Sequence, residues 1–91
     1  MIDKVSFTLD GLEEYIKWQT EDKRTLKKIN QLIKDIIRNG CEKGIGHPEP
    51  LRANLSGYYS RTIDEKNRLI YKQMDNGNIL IVHCNGHYFD K

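Results

Sequence analysis

The sequence predicts an α+β domain in which two helices pack on one face of an antiparallel sheet. Three observations carry that prediction. Two consecutive segments place apolar residues at helical spacing, three later segments have strand composition, and an Asn-Gly pair joins the last two of these. The order is β-α-α-β-β-β, in a single domain over residues 1–91.

"VSFTL" (5–9) opens the chain as a short strand that joins an edge or the centre of the sheet. "DGLEEYIKWQ" begins with Asp10, a good N-cap, and sets Leu12, Tyr15 and Ile16 on one helical face. In "EDKRTLKKINQLIKDIIRNG", Leu26, Ile29, Ile33, Ile36 and Ile37 recur at helical spacing, and Gly40 suits the residue after the helix. Residues 41–56 hold Gly and Pro and read as loop. "YYSRTI" (58–63), "RLIYKQM" (68–74) and "NILIVHC" (78–84) are strands, and Asn76-Gly77 is the preferred centre of a two-residue hairpin loop.

Composition narrows the function classes. The chain is 37% hydrophobic and 31% charged with a net charge of only +2, so where the charges sit matters more than their sum. Cys41 and Cys84 are too few for a disulfide framework, and with no signal peptide a reduced cytoplasmic setting is expected. No apolar run approaches the roughly 20 residues of a membrane span, so no membrane partner is expected. His and Cys residues lack the paired spacing of a zinc site, and neither a metal nor another cofactor is expected.

Strand register assigns faces. A two-residue Asn76-Gly77 loop sets Tyr71 opposite Val82, Leu69 opposite Cys84, Ile70 opposite His83 and Arg68 opposite Asn85. Leu69, Tyr71, Leu80, Val82 and Cys84 then form the apolar face toward the helices. Arg68, Ile70, Lys72, Ile81 and His83 lie on the other face, with His87 if the strand direction continues past Gly86. An even-length loop at "DEKN" (64–67) would add Tyr59, Arg61 and Ile63 to that face. Cations and histidines on a face without helices suggest an anionic ligand. On the second helix, Lys23, Lys27, Lys34 and Arg38 fall within an arc of roughly 60°. Such a stripe is the footprint of a nucleic-acid binder, although a solvated helix face gives the same pattern.

These residue types suit RNA phosphodiester cleavage without a metal. That reaction needs a base for the 2′-hydroxyl, a cation for the phosphorane charge and an acid for the departing 5′-oxygen. Glu49, fenced by Pro48 and Pro50, Arg68 at a strand start, and His87 can fill the three roles. Each has a plain alternative: a loop carboxylate, a surface arginine paired with Asp64 or Glu65, and a frayed chain end.

The stretches "YIKWQTEDKRTLKKINQLIKDI", "GHPEPLRANLSGYYSRTIDEKNRLIY" and "HCNGHY" add a more specific signal. Through them the chain resembles the YoeB/Txe family of bacterial toxins, within the RelE-like superfamily. The resemblance implies the RelE-like fold and the toxin of a type II toxin–antitoxin pair, an endoribonuclease that enters the ribosomal A site and cuts messenger RNA there without metal. It places the general base on Glu49, the phosphate-binding arginine on Arg68, the general acid on His87 and a nucleotide-orienting tyrosine on Tyr88. It sets Arg61 beside the site as a phosphate contact and Arg52 as a second RNA contact. Ribosomal RNA would be met by the lysine stripe. A YefM/Axe-like antitoxin and a homodimer are implied as partners. The chain departs from many relatives in following Arg61 with Thr62 and in continuing past Tyr88 with Phe89-Asp90-Lys91. A non-catalytic RNA or ribosome binder of the same fold is the competing reading, and the retained Glu-Arg-His-Tyr set argues against it.

Overall fold

The apolar stripe of the second helical segment is the surface on which the sheet closes. A computed structural model describes residues 2–86. The elements are β1 (Val5–Phe7), α1 (Leu9–Glu21), α2 (Lys23–Asn39), β2 (Glu49–Pro50), a 3-10 turn (Ala53–Leu55), β3 (Tyr58–Thr62), β4 (Arg68–Gln73) and β5 (Ile79–His83). The five strands form one sheet in the order β1-β5-β4-β3-β2. β1 runs parallel to β5 at one edge, and the other neighbouring pairs are antiparallel. The expected α+β order is present, with the short strand β2 added inside the segment read as loop.

Asp22 starts α2 by accepting from the amides of Arg24 and Thr25, donors that a first helical turn leaves unpaired. The Thr25 hydroxyl and these amides hold the Asp22 carboxyl below its usual range. Gly40, with φ at 90°, ends the helix as expected. Ile29, Leu32 and Ile36 are fully buried against Leu69 and Tyr71 of β4 and Ile79 and Ile81 of β5. Ile37, assigned to this stripe from spacing, turns outward and is 46% exposed.

α1 is rotated from the expected orientation. Its cap is Thr8 rather than Asp10: the Thr8 hydroxyl accepts from the Gly11 amide and donates to the Val82 carbonyl, both at 3.0 Å. One side chain therefore starts the helix and fastens it to β5. Gly11, Tyr15 and Trp18 face inward, at helical spacing. Leu12 and Ile16, set by spacing on the same helical face as Tyr15, are 39% and 53% exposed. The cause is the close approach at Gly11, where a Cβ would lie 2.8 Å from the Ile81 carbonyl oxygen. Farther along, the Trp18 indole donates to the Cys84 carbonyl at 2.9 Å.

The β4–β5 hairpin contains two irregularities that offset each other. Met74 N donates to Asn78 O and Gly77 N to Met74 O, so residues 75–77 form a three-residue loop instead of the expected two-residue one. Tyr71 consequently pairs with Ile81, not with Val82. A bulge between Ile70 and Tyr71 then absorbs Val82 on the partner strand, and the expected Ile70–His83 pair is restored. Between loop and bulge, Ile79 and Ile81 take the core positions assigned from sequence to Leu80 and Val82. Cys84, beyond the bulge, is buried as expected.

Replacing Gly11 with alanine will push α1 off β5. The expected loss is about 1–3 kcal/mol of unfolding free energy, the usual cost of overpacking, read from urea denaturation. Unchanged stability would show that the contact yields without cost.

Candidate functional site

The open face of the sheet arranges its side chains in rows set by strand pairing. Glu49 of β2 pairs with Ser60 of β3, Ser60 with Ile70 of β4, and Ile70 with His83 of β5. Directly paired residues share a face, so one row crosses four strands with a carboxylate at one end and an imidazole at the other. Three strand spacings put their Cα atoms roughly 14 Å apart. A second row holds Tyr58, Lys72 and Leu80, with Lys72 Nζ 5.1 Å from the centre of the Tyr58 ring. A third begins with Thr62 and Arg68.

An open groove of about 770 Å³ lies over the first of these rows and the Tyr58 end of the second. Segment 49–55 forms one bank and supplies Glu49 and Arg52. Tyr58, Ile70 and Val82 line the floor, and His83 lies across from the bank. β2 is an edge strand, where flanking prolines forfeit no ladder bond on the solvent side. Leu51 N donates to Tyr58 O at 2.9 Å, and the 3-10 turn closes with Leu55 N on Arg52 O at 3.0 Å. Ala53 holds a left-handed φ of 57°. A non-glycine residue there costs on the order of 1 kcal/mol, an expense met where the surroundings impose the shape.

Arg68 opens β4 at the rim of this face. Its Nη1 donates to the carbonyls of Asp64 (2.5 Å) and Asn67 (3.0 Å). Burial raises the Asp64 carboxyl, but the Asn67 side chain, the Lys66 and Asn67 amides and the Arg68 charge outweigh it and leave Asp64 below its usual range. The same turn receives the end of the described chain. Gly86 N donates to Asn67 Oδ1 at 2.8 Å, and Arg68 N donates to Gly86 O at 3.1 Å. His87 and Tyr88 lie outside the described residues.

Arg61 is not on the open face. Ile63 N bonds to Asn67 O, leaving 64–66 as an odd-length loop, and Arg61 pairs with Leu69 on the helix side. The parity assumed for Tyr59, Arg61 and Ile63 is reversed, and Arg61 is fully buried. Its Nη1 meets Asp35 Oδ2 and the Ile45 carbonyl, its Nη2 the carbonyls of Gly40 and Lys43, and its Nε donates to the Tyr71 hydroxyl. With every donor nitrogen engaged and no exposed surface, Arg61 cannot hold a phosphate in the groove. The Arg61 bond, with the Ile45 amide and the Asn39 side chain, holds the Asp35 carboxyl below its usual range despite its partial desolvation.

Lys23, Lys27, Lys34 and Arg38 are all exposed, as a stripe requires. They belong to α2, on the opposite side of the sheet from the groove. Among the described residues no group of three or more His, Cys, Asp or Glu side chains could hold a metal ion. Burial pushes the Cys84 thiol up to about 12, far from a reactive thiolate. Spacing did not single out Glu14. It accepts from the Cys84 amide at 2.7 Å and lies 3.0 Å from His83 Nδ1. Its position on the inner side of α1, between Gly11 and Trp18, is the signal that could have found it.

Two helices thus pack on one face of a five-stranded sheet, and a groove bearing Glu49 and Arg52 lies on the other. Residues 7–88 match the family model described as "YoeB-like toxin of bacterial type II toxin-antitoxin system". Toxin YoeB of Streptomyces coelicolor is 46% identical over 85 residues, covering 93% of this chain and 99% of that one. The heterotetrameric YoeB–YefM complex of Staphylococcus aureus contains a chain 45% identical, with a TM-score of 0.86 over 97% of this chain and 99% of that one. The YoeB dimer of Staphylococcus aureus matches with 46% identity and a TM-score of 0.85 over 93% of this chain and 97% of that one. The chain belongs to the YoeB-like toxin family and is the toxin of a type II toxin–antitoxin system.

Asp35→Asn will leave the buried Arg61 charge without its counterion. The expected cost is about 3 kcal/mol, the lower end for a broken buried pair because three carbonyls remain on the guanidinium. Asp35 has a depressed folded pKa, so its contribution is complete above the ordinary value of 3.8 and is lost as pH falls below it. The stability gap between wild type and variant, measured by denaturant titration, will be constant near neutrality and will shrink below about pH 4.

Proposed function

We propose that this toxin is a ribosome-dependent endoribonuclease that cuts messenger RNA in the ribosomal A site by acid/base catalysis without a metal, and so arrests translation in the cytoplasm. The observation that carries the reading is the placement of Glu49 and Arg52 on one bank of a groove whose open sheet face also bears Arg68. In this scheme Glu49 takes the 2′-hydroxyl proton and the 2′-oxygen attacks the neighbouring phosphorus. Arg68 offsets the added negative charge, and His87 protonates the departing 5′-oxygen. The products are a 2′,3′-cyclic phosphate and a free 5′-hydroxyl. Tyr88 orients the nucleotide and Arg52 contacts a flanking phosphate. Arg61 has no part in binding RNA; it shapes the scaffold behind the site.

The groove floor of Tyr58, Ile70 and Val82 supports the same reading, since apolar and aromatic side chains accept a base face without regard to sequence. Lys23, Lys27, Lys34 and Arg38, directed away from the groove, suit contact with ribosomal RNA while the groove holds the message. A YefM-like antitoxin is the proposed inhibitor, by likeness to the Staphylococcus aureus complex. Self-association into a homodimer is proposed by likeness to the dimer from the same organism.

Purified toxin added to ribosomes programmed with a defined message will give discrete cuts at the A-site codon, mapped by primer extension. Intact message at saturating toxin would overturn the reading. Glu49→Gln and Arg68→Ala will each lower the single-turnover rate about 100-fold or more while changing the half-saturating concentration little. Neutralising Lys23, Lys27, Lys34 and Arg38 together will weaken ribosome binding and flatten its salt dependence. The slope of log K against log salt is expected to change by about 0.7–0.9 for each phosphate that these side chains no longer neutralise.

A further inference from the structure

Lys72 stands at the Tyr58 end of the groove, and the proposed chemistry gives it no task. It is half-buried on β4, paired with Tyr58 of β3 and Leu80 of β5. Pairing between β3 and β4 is regular from Arg68 to Lys72, so Arg68, Ile70 and Lys72 share the open face. The nearest residues to Lys72 across and along that face are thus Tyr58, Leu80 and Ile70, none of them acidic. A surface lysine ordinarily extends into water or meets a carboxylate. Among the described residues the Lys72 ammonium meets no carboxylate and no hydrogen-bond acceptor. Its neighbour is the Tyr58 ring, which lines the groove and whose centre lies 5.1 Å from Nζ. A ring face attracts a cation without satisfying the three N–H donors of an ammonium. The charge is therefore held beside the groove with hydrogen bonds still to give.

We infer that Lys72 is an RNA-contacting residue of this toxin, which together with Arg52 binds the phosphate flanking the scissile one. The inference deepens the endoribonuclease reading and rests on it for the identity of the ligand. Spacing along β4 separates the tasks of its two cations. Four residues of strand put the Cα atoms of Arg68 and Lys72 roughly 13 Å apart. The Arg68 guanidinium also bends toward the Asp64 and Asn67 carbonyls, in the turn before β4 and away from Lys72. The two side chains accordingly face different phosphates. Leu51 N donates to Tyr58 O, so Arg52, next along the bank, stands at the same end of the groove as Lys72. In strand order Tyr58 lies between them, and a base laid on its ring has a cation on either side for the adjoining phosphate. That phosphate offers an ammonium the charge-assisted hydrogen bonds that a ring cannot.

A trinucleotide has two linkages, one for the scissile phosphate and one for the flanking phosphate. NMR titration with 2′-O-methylated RNA trinucleotides, which cannot be cut, reads binding alone. Lys72→Gln is expected to raise the dissociation constant about 10-fold, the loss of one hydrogen bond to a charged group. It will also lower the magnitude of the slope of log K against log salt by about 0.7. Lys72→Arg, which keeps the charge, is expected to stay within about 3-fold of wild type. A neutral methylphosphonate placed at each linkage in turn locates the contact: the Lys72→Gln penalty will vanish at the flanking linkage and persist at the other. Lys4→Gln removes the same charge beside β1, at the far edge of the sheet, and is expected to match wild type. A penalty that survives at both linkages, or that Lys4→Gln reproduces, is an effect of net charge and overturns the inference. Equal affinities of wild type and Lys72→Gln overturn it too, and leave Lys72 to a carboxylate of a protein partner. The wild-type Lys72 Cε resonance needs no variant to fold: it will shift on adding the trinucleotide, and a resonance unmoved by bound RNA overturns the inference. Should the wild type bind the trinucleotide as described but cut no message on programmed ribosomes, the endoribonuclease reading alone fails. Should it bind no trinucleotide, the Lys72 contact fails whether or not message is cut.

Discussion

The buried guanidinium of Arg61 is the constraint around which the remainder of the domain is arranged. A charge removed from water is tolerable only if it is paired and its donors are satisfied. Satisfying Arg61 takes one carboxylate from α2, three carbonyls from the segment after α2, and the hydroxyl of Tyr71 on β4. Tyr71 in turn donates to the Cys41 carbonyl at 2.7 Å. Residues 40–45 could otherwise lie anywhere on the surface. Collected around one cation, they fix where the chain leaves α2, and hence where β2 and Glu49 arrive. Gly46 adds the next fastening, since its carbonyl accepts from Thr62 N at 2.7 Å. The proposed catalytic bank therefore depends on a charge held on the far side of the sheet, which no RNA can reach.

This division of labour separates the two faces of the sheet. Behind it, apolar contacts and one satisfied ion pair supply rigidity. In front, polar groups stand on strands whose pairing determines their spacing. A site built on paired strands is held more closely than one on free loops, and among the described residues the Glu49 bank and the bulge at Ile70 depart from regular pairing. That bank is a short edge strand fenced by prolines and followed by a left-handed alanine, which makes it stiff although it is exposed.

Much of this was legible in the sequence because its signals are local. Helical spacing located α2, Gly40 its end and Asn76-Gly77 the hairpin. The run Pro-Glu-Pro-Leu followed by Asn-Leu-Ser-Gly pointed to the bank that bears Glu49 and Arg52. What failed depended on parity and tertiary contact. The number of residues in a turn decides the face of every residue beyond it, so one residue miscounted at 64–67 moved Arg61 from core to groove. A carboxylate at Asp35, next to the buried stripe of Leu32 and Ile36, was the available clue that the core held a cation. The rotation of α1 came from Gly11, whose role is the absence of a side chain and which no periodicity records. His87 was a candidate by residue type and register and Tyr88 by resemblance, and both lie outside the described residues.

The paired irregularities of the β4–β5 hairpin have a consequence for sequence change. The run Ile79-Leu80-Ile81-Val82 is apolar at every position, so its inner and outer residues are nearly exchangeable in volume and hydropathy. A slide of one residue between loop and bulge would trade Ile79 and Ile81 for Leu80 and Val82 in the core, leaving the Ile70–His83 pair untouched. Hydrophobicity hardly discriminates between these two alignments. The short edge strand does. Asn78 Oδ1 accepts the amides of Asp3 and Lys4 at 2.8 and 3.0 Å, and β1 then pairs residue by residue with Ile79, Leu80 and Ile81. Three residues at the start of the chain thus act as the ratchet that selects one alignment of its end, and substitutions at Asn78 should be felt as mispairing more than as weakened packing.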